Sequence, residues 1–262
     1  MRYTLRLLTL QQGERATRLM VAMNLVSEEE DLGCHEFSVG MWIGSAATPN
    51  STAVAIKIIE EMKATNAANP TGVSPIQLDK CPWCGHKDSE IKQRAKLWTL
   101  NENGRIRGKC SNNECVLSTR DIPFSCIDDD LYDNPPTLLI GTVDKFARLA
   151  SEPRARVLLG LKGEKYQLSP PDLVIQDELH LLTGPLGSLA GLFESAIEVL
   201  WKKAGTRVKY IAATATIRGA ERNTKIMYGR DLNVFPPPGL TIKDNFFSEE
   251  REDIDGRAHI AI

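Results

Sequence analysis

The sequence predicts an α/β fold built on a parallel sheet, with a small cysteine-bearing module inserted into it. Short apolar runs alternate with segments of helical periodicity, which is the pattern of βαβ units. Three of the runs end in small hydroxyl or carboxyl residues: Thr142 and Asp144, Asp177 and Glu178, Thr214 and Thr216. In open parallel sheets, functional groups collect at the carboxyl ends of the strands. Four of the six cysteines fall in two close pairs within one polar stretch.

In chain order, Tyr3 to Leu8 reads as a strand and Gln11 to Asn24 as a helix, with Ala16, Leu19, Met20 and Met23 at helical spacing. Glu36 to Ile43 reads as a second strand. Thr48-Pro49-Asn50-Ser51 reads as a turn and N-cap before a helix carrying Val54, Ile58, Ile59 and Met62 on one face. The Asn-, Ala- and Pro-rich stretch from Asn66 to Pro75 reads as a linker. Ile76 to about Asp133 is polar and reads as the insert, and Pro135-Pro136 marks the return. Thr137 to Gly141, Leu173 to Ile175 and Tyr210 to Ala213 are the next strands. Between them lie helical patterns at Thr142 to Ala150 and at Leu189 to Leu200, the latter with Leu192, Phe193, Ala196 and Ile197 inward. A last helix is read at Ala220 to Tyr228. The expected divisions are 1–66 and 135–240 for the two parts of the main domain, 67–134 for the insert, and 241–262 for the start of a connection.

At 262 residues, 42% hydrophobic and 25% charged, the chain can bury a sizeable core. A net charge of −2 excludes a wholly basic surface, so nucleic-acid binding would need a local groove. No apolar run approaches the roughly 18 residues of a membrane span. No membrane association and a cytoplasmic location are expected.

Cys81-Pro82-Trp83-Cys84-Gly85 has the spacing that turns two thiolates toward one ion, and Cys110 and Cys115 supply a second pair. A strand-like Ala95 to Leu100 and the turn Asn103-Gly104 lie between them, as in a zinc-ribbon hairpin. Four thiolates leave no open position on Zn²⁺, so the expected zinc is structural. His86 is expected to point outward. Cys34 and Cys126 read as buried fillers, and His35 and His259 have no partner pattern. Arg94, Lys96, Arg105, Arg107 and Lys109 would give the module a basic face, either a nucleic-acid track or a solvated surface. Trp98 could stack on a base or pack the module's core.

Asp177-Glu178-Leu179-His180 follows an apolar run. Adjacent carboxylates there could hold Mg²⁺ (Asp177) and polarise an attacking water (Glu178), with His180 coupling the site to the next strand end. The bland reading is a solvated acidic turn. The tetrapeptide resembles motif II of superfamily 2 helicases of the DEAD/DEAH type. Thr214-Ala215-Thr216 resembles their motif III, Ile140 to Phe146 is similar to motif Ib, and Leu8 to Gln12 is similar to motif Ia. Met1 to Arg15, Gly44 to Asn50 and Val234 to Gly239 resemble the large helicase component of DISARM-type anti-phage systems.

This resemblance implies a RecA-like three-layer sandwich, the first lobe of a nucleic-acid motor. Its expected catalytic residues are Asp177, Glu178, His180, Thr214 and Thr216. Gln12, Arg15, Gly44, Thr142 and Lys145 would contact the backbone of DNA or RNA. Mg²⁺ and ATP are expected in the full-length parent. Its partners would be the remaining segments of the helicase and other defence-system subunits. No Gly-x-x-x-x-Gly-Lys-Ser/Thr loop occurs, so the sequence reads as a fragment or a split-gene product, inactive alone. The alternative is a non-catalytic scaffold that binds nucleic acid or protein through its zinc module.

Overall fold

The computed structural model describes residues 1–3, 6–33, 35–162, 165–166, 169–182, 184–214, 219–237 and 246. Met1–Ile217 form one compact unit, and Arg218–Ile262 belong to a second. The strands are β1 (Arg2–Tyr3), β2 (Val39–Trp42), β3 (Trp98–Leu100), β4 (Ile106–Gly108), β5 (Phe124–Ser125), β6 (Leu138–Thr142), β7 (Leu161–Lys162), β8 (Lys165–Tyr166), β9 (Leu173–Gln176) and β10 (Lys209–Ala212). The α-helices are α1 (Arg6–Glu29), α2 (Thr52–Thr65), α3 (Ile91–Lys96), α4 (Asp128–Asp133), α5 (Val143–Phe146), α6 (Gly184–Lys203) and, in the second unit, α7 (Ala220–Tyr228).

Six strands form one wholly parallel sheet in the order β10-β9-β1-β6-β2-β5. β1 lies inside it, pairing Arg2 with Gly141 on one side and with Gln176 on the other. All four residues of β2 are buried, as expected of an inner strand covered on both faces. Alternation along β2 divides the core. Val39 and Met41 face α1 and α2, in a cluster with Met20, Val21, Ile58, Ile59 and Met62. Trp42 faces the other way, in a cluster with Leu131, Phe146, Val174, Ile197 and Trp201. At Gly13, a Cβ would lie 2.6 Å from the Met41 Cε, so glycine permits the close approach of α1 to the sheet. No helix among the described residues is long and apolar enough to cross a membrane.

Several local expectations are corrected. The strand expected over Tyr3 to Leu8 stops at Tyr3, and helix runs from Arg6. Arg, Leu and Gln dominate positions 6–12 and are strong helix formers. Ser51 caps α2 as expected, accepting the Val54 N–H at 3.3 Å. Ala55 rather than Val54 faces the core, because the buried face runs through Ala55, Ile58, Ile59 and Met62. Ala95 and Lys96 belong to α3, and the first hairpin strand begins only at Trp98. The helix expected over Thr142 to Ala150 is one α-helical turn, α5, followed by a 3-10 turn at Ala147–Ala150. In α6, Ile197 is buried as expected but Leu192 is 69% exposed; Ala190, Glu194 and Trp201 complete the inward face.

The cysteine module is not a separate lobe. Trp98, Ile106, Cys110 and Leu117 join the cluster that holds α1 and α2. β5, within the stretch expected as insert, returns to the main sheet beside β2. In the second unit, α7 is capped by Gly229, and Lys225 pairs with Asp231 at 2.6 Å.

Candidate functional sites

Because the sheet is parallel, the carboxyl ends of its strands share one edge. Thr214 (after β10), Asp177 (after β9), Thr142 (ending β6) and Gly44 (after β2) therefore lie along it in that order. Three strand steps separate β9 from β2, roughly 14 Å at about 4.8 Å per step.

At the β9 end the acidic box is held by backbone. The Asp177 N–H donates to the Arg2 carbonyl at 3.0 Å, and the Leu179 N–H donates to the Ala213 carbonyl at 3.0 Å. Glu178 takes a left-handed backbone conformation, with its N–H donating to Asp177 Oδ1 at 3.0 Å. The box then enters a 3-10 turn at Leu179–Leu181. That turn carries His180 Nδ1 to 3.2 Å from Glu178 Oε2 and 3.3 Å from Thr214 Oγ1. Glu178, His180 and Thr214 are thus one polar cluster spanning two strand ends. Thr216 lies outside the described residues.

Beneath the box is a network that the sequence did not announce. Gln176 is buried, and its side-chain amide donates to its neighbour's carbonyl, that of Asp177, at 2.8 Å. Arg2 is buried in an ion pair with Glu194 of α6, and its guanidinium lies 4.6 Å from the centre of the Phe146 ring. Tyr210 donates to Glu194 at 3.1 Å, tying β10 into the same network. Glu194 sits mid-helix among apolar residues, and nothing local in the sequence marks it as buried.

The expected backbone-contact residues lie on α1, at the sheet edge and on α5, and differ in exposure. Arg15 is exposed and Gln12 half-buried, both on α1. Gly44 opens a turn in which its carbonyl accepts the Ala47 N–H at 2.9 Å, and a Cβ there would meet open space. Thr142 is buried, and its hydroxyl has no hydrogen-bond partner. Lys145 is enclosed. It is 2% exposed, its ammonium pairs with Asp128 Oδ2 at 2.8 Å, and it lies 5.7 Å from the Trp42 ring. An ammonium so enclosed does not reach a phosphate. Burial pushes the Asp128 carboxyl above the usual range, against the pull of Lys145.

The second candidate site is the cysteine cluster. The Sγ atoms of Cys81, Cys84, Cys110 and Cys115 all lie within 4.8 Å of one another. Cys81 and Cys115 are 3.8 Å apart, and Cys84 and Cys110 are 3.6 Å apart. Four thiolates arranged tetrahedrally about zinc at 2.3 Å would stand about 3.8 Å apart, so the donor set fits. Gly85 has a positive φ of 77°, and the Cys81 N–H donates to the His86 carbonyl at 2.8 Å, which closes the first knuckle. Burial pushes the Cys84 thiol up, but hydrogen bonds from the His86 amide and the neighbouring thiols outweigh it and bring it down to about 7. The four cysteines could hold a metal ion such as zinc. The His86 ring is turned outward and exposed. Cys126 is buried apart from the cluster, donating to the Pro75 carbonyl at 3.2 Å.

Three of the five basic residues expected on the module's face are half-buried and paired. Arg107 pairs with Asp130 at 2.6 Å, Arg105 donates to Asn134, and Arg94 pairs with Asp79 at 2.8 Å. Lys96 and Lys109 are exposed. Trp98 is buried edge-on against Phe124, with ring centres 6.5 Å apart, so it packs the module rather than presenting a face to a base.

No family model matches the chain. A curated relative, DISARM protein DrmA of Bacillus paralicheniformis, is 36% identical over an alignment of 284 residues. The alignment takes in 96% of this chain and 25% of that protein, so the chain spans about a quarter of its relative's length.

Proposed function

We propose that this chain is part of the first motor lobe of a superfamily 2 nucleic-acid helicase or translocase acting in DISARM-type antiviral defence. The observation that carries the reading is the Glu178–His180–Thr214 cluster, which links the acidic box to the adjoining strand end over 3.2 and 3.3 Å. In such a motor, Glu178 would orient the attacking water. His180 would pass the state of the nucleotide to Thr214. Asp177 would hold Mg²⁺, which supplies charge neutralisation on the phosphates when bound. The likeness to DISARM protein DrmA supports the defence assignment.

The sheet also has room for a phosphate-binding segment. β10 has no strand neighbour on its outer side among the described residues. Val174 and Tyr210 face α6, so Leu173 and Ile211 face the other way, where they are 42% and 46% exposed. A strand, loop and helix bringing the missing phosphate loop beside Asp177 would cover that face.

The test uses a longer polypeptide containing both this stretch and a phosphate loop. Glu178→Gln should lower ATP turnover by about 100-fold or more while sparing nucleotide binding. His180→Ala should remove the stimulation by nucleic acid. The 262 residues alone should show negligible turnover. Wild-type turnover in Glu178→Gln would overturn the motor reading and favour the scaffold.

A further inference from the structure

Four acidic residues of α4 bind partners from four other parts of the fold. Asp130 takes Arg107 of β4 at 2.6 Å and the Asn134 amide at 3.2 Å. Asp128 takes Lys145 of α5 at 2.8 Å and the Tyr132 hydroxyl at 3.4 Å. Asp129 accepts the Thr52 N–H at the start of α2 at 3.2 Å and pairs with Arg154 at 2.7 Å; Asp133 holds the same Arg154 at 3.2 Å. Asp128 and Asp130 are both buried, which separates this short helix from an ordinary solvated acidic run.

The two ion pairs, Asp128–Lys145 buried and Asp130–Arg107 partly buried, form a continuous link. Cys110 lies two residues beyond Gly108, the last residue of β4, and belongs to the four-cysteine cluster. Arg107, on the same strand, is the module's tightest grip on α4, with Arg105 beside it 4.0 Å from Asp130 and donating to Asn134. On the far side, α4 holds Lys145 on the turn that follows Thr142 at the sheet edge. Tyr132 extends the link by accepting from Trp42 Nε1 at 3.2 Å. Asp128, Asp130 and Lys145 are buried, so loss of the partner of any of them leaves a buried charge and destabilises the elements it joins.

We propose that the metal-loaded cysteine module is a latch on α4, and that metal occupancy sets the order of the β6–α5 strand end through Arg107–Asp130 and Asp128–Lys145. With the metal bound, β4 is fixed by Cys110 and Cys115, and Arg107 holds α4 in place. Without it, β4 loosens, Asp130 loses its counter-ion, and the strand end at Thr142–Phe146 loosens in turn. The inference rests on the metal reading of the four cysteines and is independent of the motor reading.

The test is hydrogen exchange read by mass spectrometry on the 262-residue chain, loaded with Zn²⁺ alone and then stripped with a chelator. Zinc content is measured alongside. Stripping should raise exchange over residues 128–148 by about tenfold, while 173–176 keep their protection. Arg107→Met should still bind one zinc, exchange faster over 128–148 from the outset, and respond little to stripping. Asp130→Asn provides a second break should Arg107→Met fail to fold. The latch is overturned if stripping leaves 128–148 unchanged, if both variants respond as the parent does, if both variants lose the metal, or if the parent takes up no zinc.

Discussion

Lys145 and Asp128 are both almost wholly enclosed, and their 2.8 Å contact joins two elements that meet nowhere in sequence. Removing one partner strands the other in a poorly polarisable surrounding. Asp128→Ala should cost about 3–5 kcal/mol in urea denaturation, whereas the apolar pair Asp128→Leu with Lys145→Met should cost much less. Equal losses in the two would mean that the ion pair is not what Asp128 contributes. The pH dependence has a definite sign. Burial raises the folded-state pKa of Asp128 above its unfolded value, so the folded state binds this proton more tightly. The stability of the parent should therefore gain on that of the apolar double variant as the pH falls through that value. Nothing local marks this network, since the partners of Asp128, Asp130 and Asp129 are the distant Lys145, Arg107 and Arg154. By contrast, Cys81, Cys84, Cys110 and Cys115 were legible as one site because their spacing is a local property of two turns.

The β3–β4 hairpin shows how far pattern reading reaches into an element. The turn at Gly104 and the return strand follow from Asn103-Gly104, but the boundary between α3 and β3 does not, because Arg94 to Leu97 suit either state. Trp98 pairs across the hairpin with Gly108, and a Cβ at Gly108 would lie 2.5 Å from the indole. Gly108→Ala should displace Trp98 from Phe124 and cost about 1–3 kcal/mol, measured as a fall in Tm at constant zinc content. A fully stable variant would show that the indole can shift freely. The strands β6, β9 and β10 were readable from Leu138-Leu139-Ile140, Leu173-Val174-Ile175 and Tyr210-Ile211-Ala212 because apolar runs before polar strand ends are strong signals. β1 was read too long, as Tyr3 to Leu8, since only Arg2 and Tyr3 are held in the sheet, by neighbours from the far half of the chain.

The sheet is well covered at its β2 side and open at β10. Leu173 and Ile211 expose apolar surface beside β10, which has no strand neighbour on its outer side among the described residues, a combination that promotes association between copies. Ile211→Lys should raise the concentration at which the 262-residue chain begins to aggregate, read by light scattering, with its Tm nearly unchanged. An unchanged threshold would mean that this corner is not the point of association.

The placement of β1 has a consequence for synthesis on the ribosome. Arg2 needs both Gly141 and Gln176 to complete its pairing, so β1 must wait for two partners made much later. At about 5–20 residues per second, that wait is roughly 10–35 s. During that time α1 has no completed sheet to cover, and its apolar face stays open to chaperones or to misassembly. Helices α1 and α2 can form early from local contacts, but the sheet is complete only after β9 is placed beside β1. Slowing translation between α2 and β9 should therefore prolong the vulnerable stage rather than help the chain to fold.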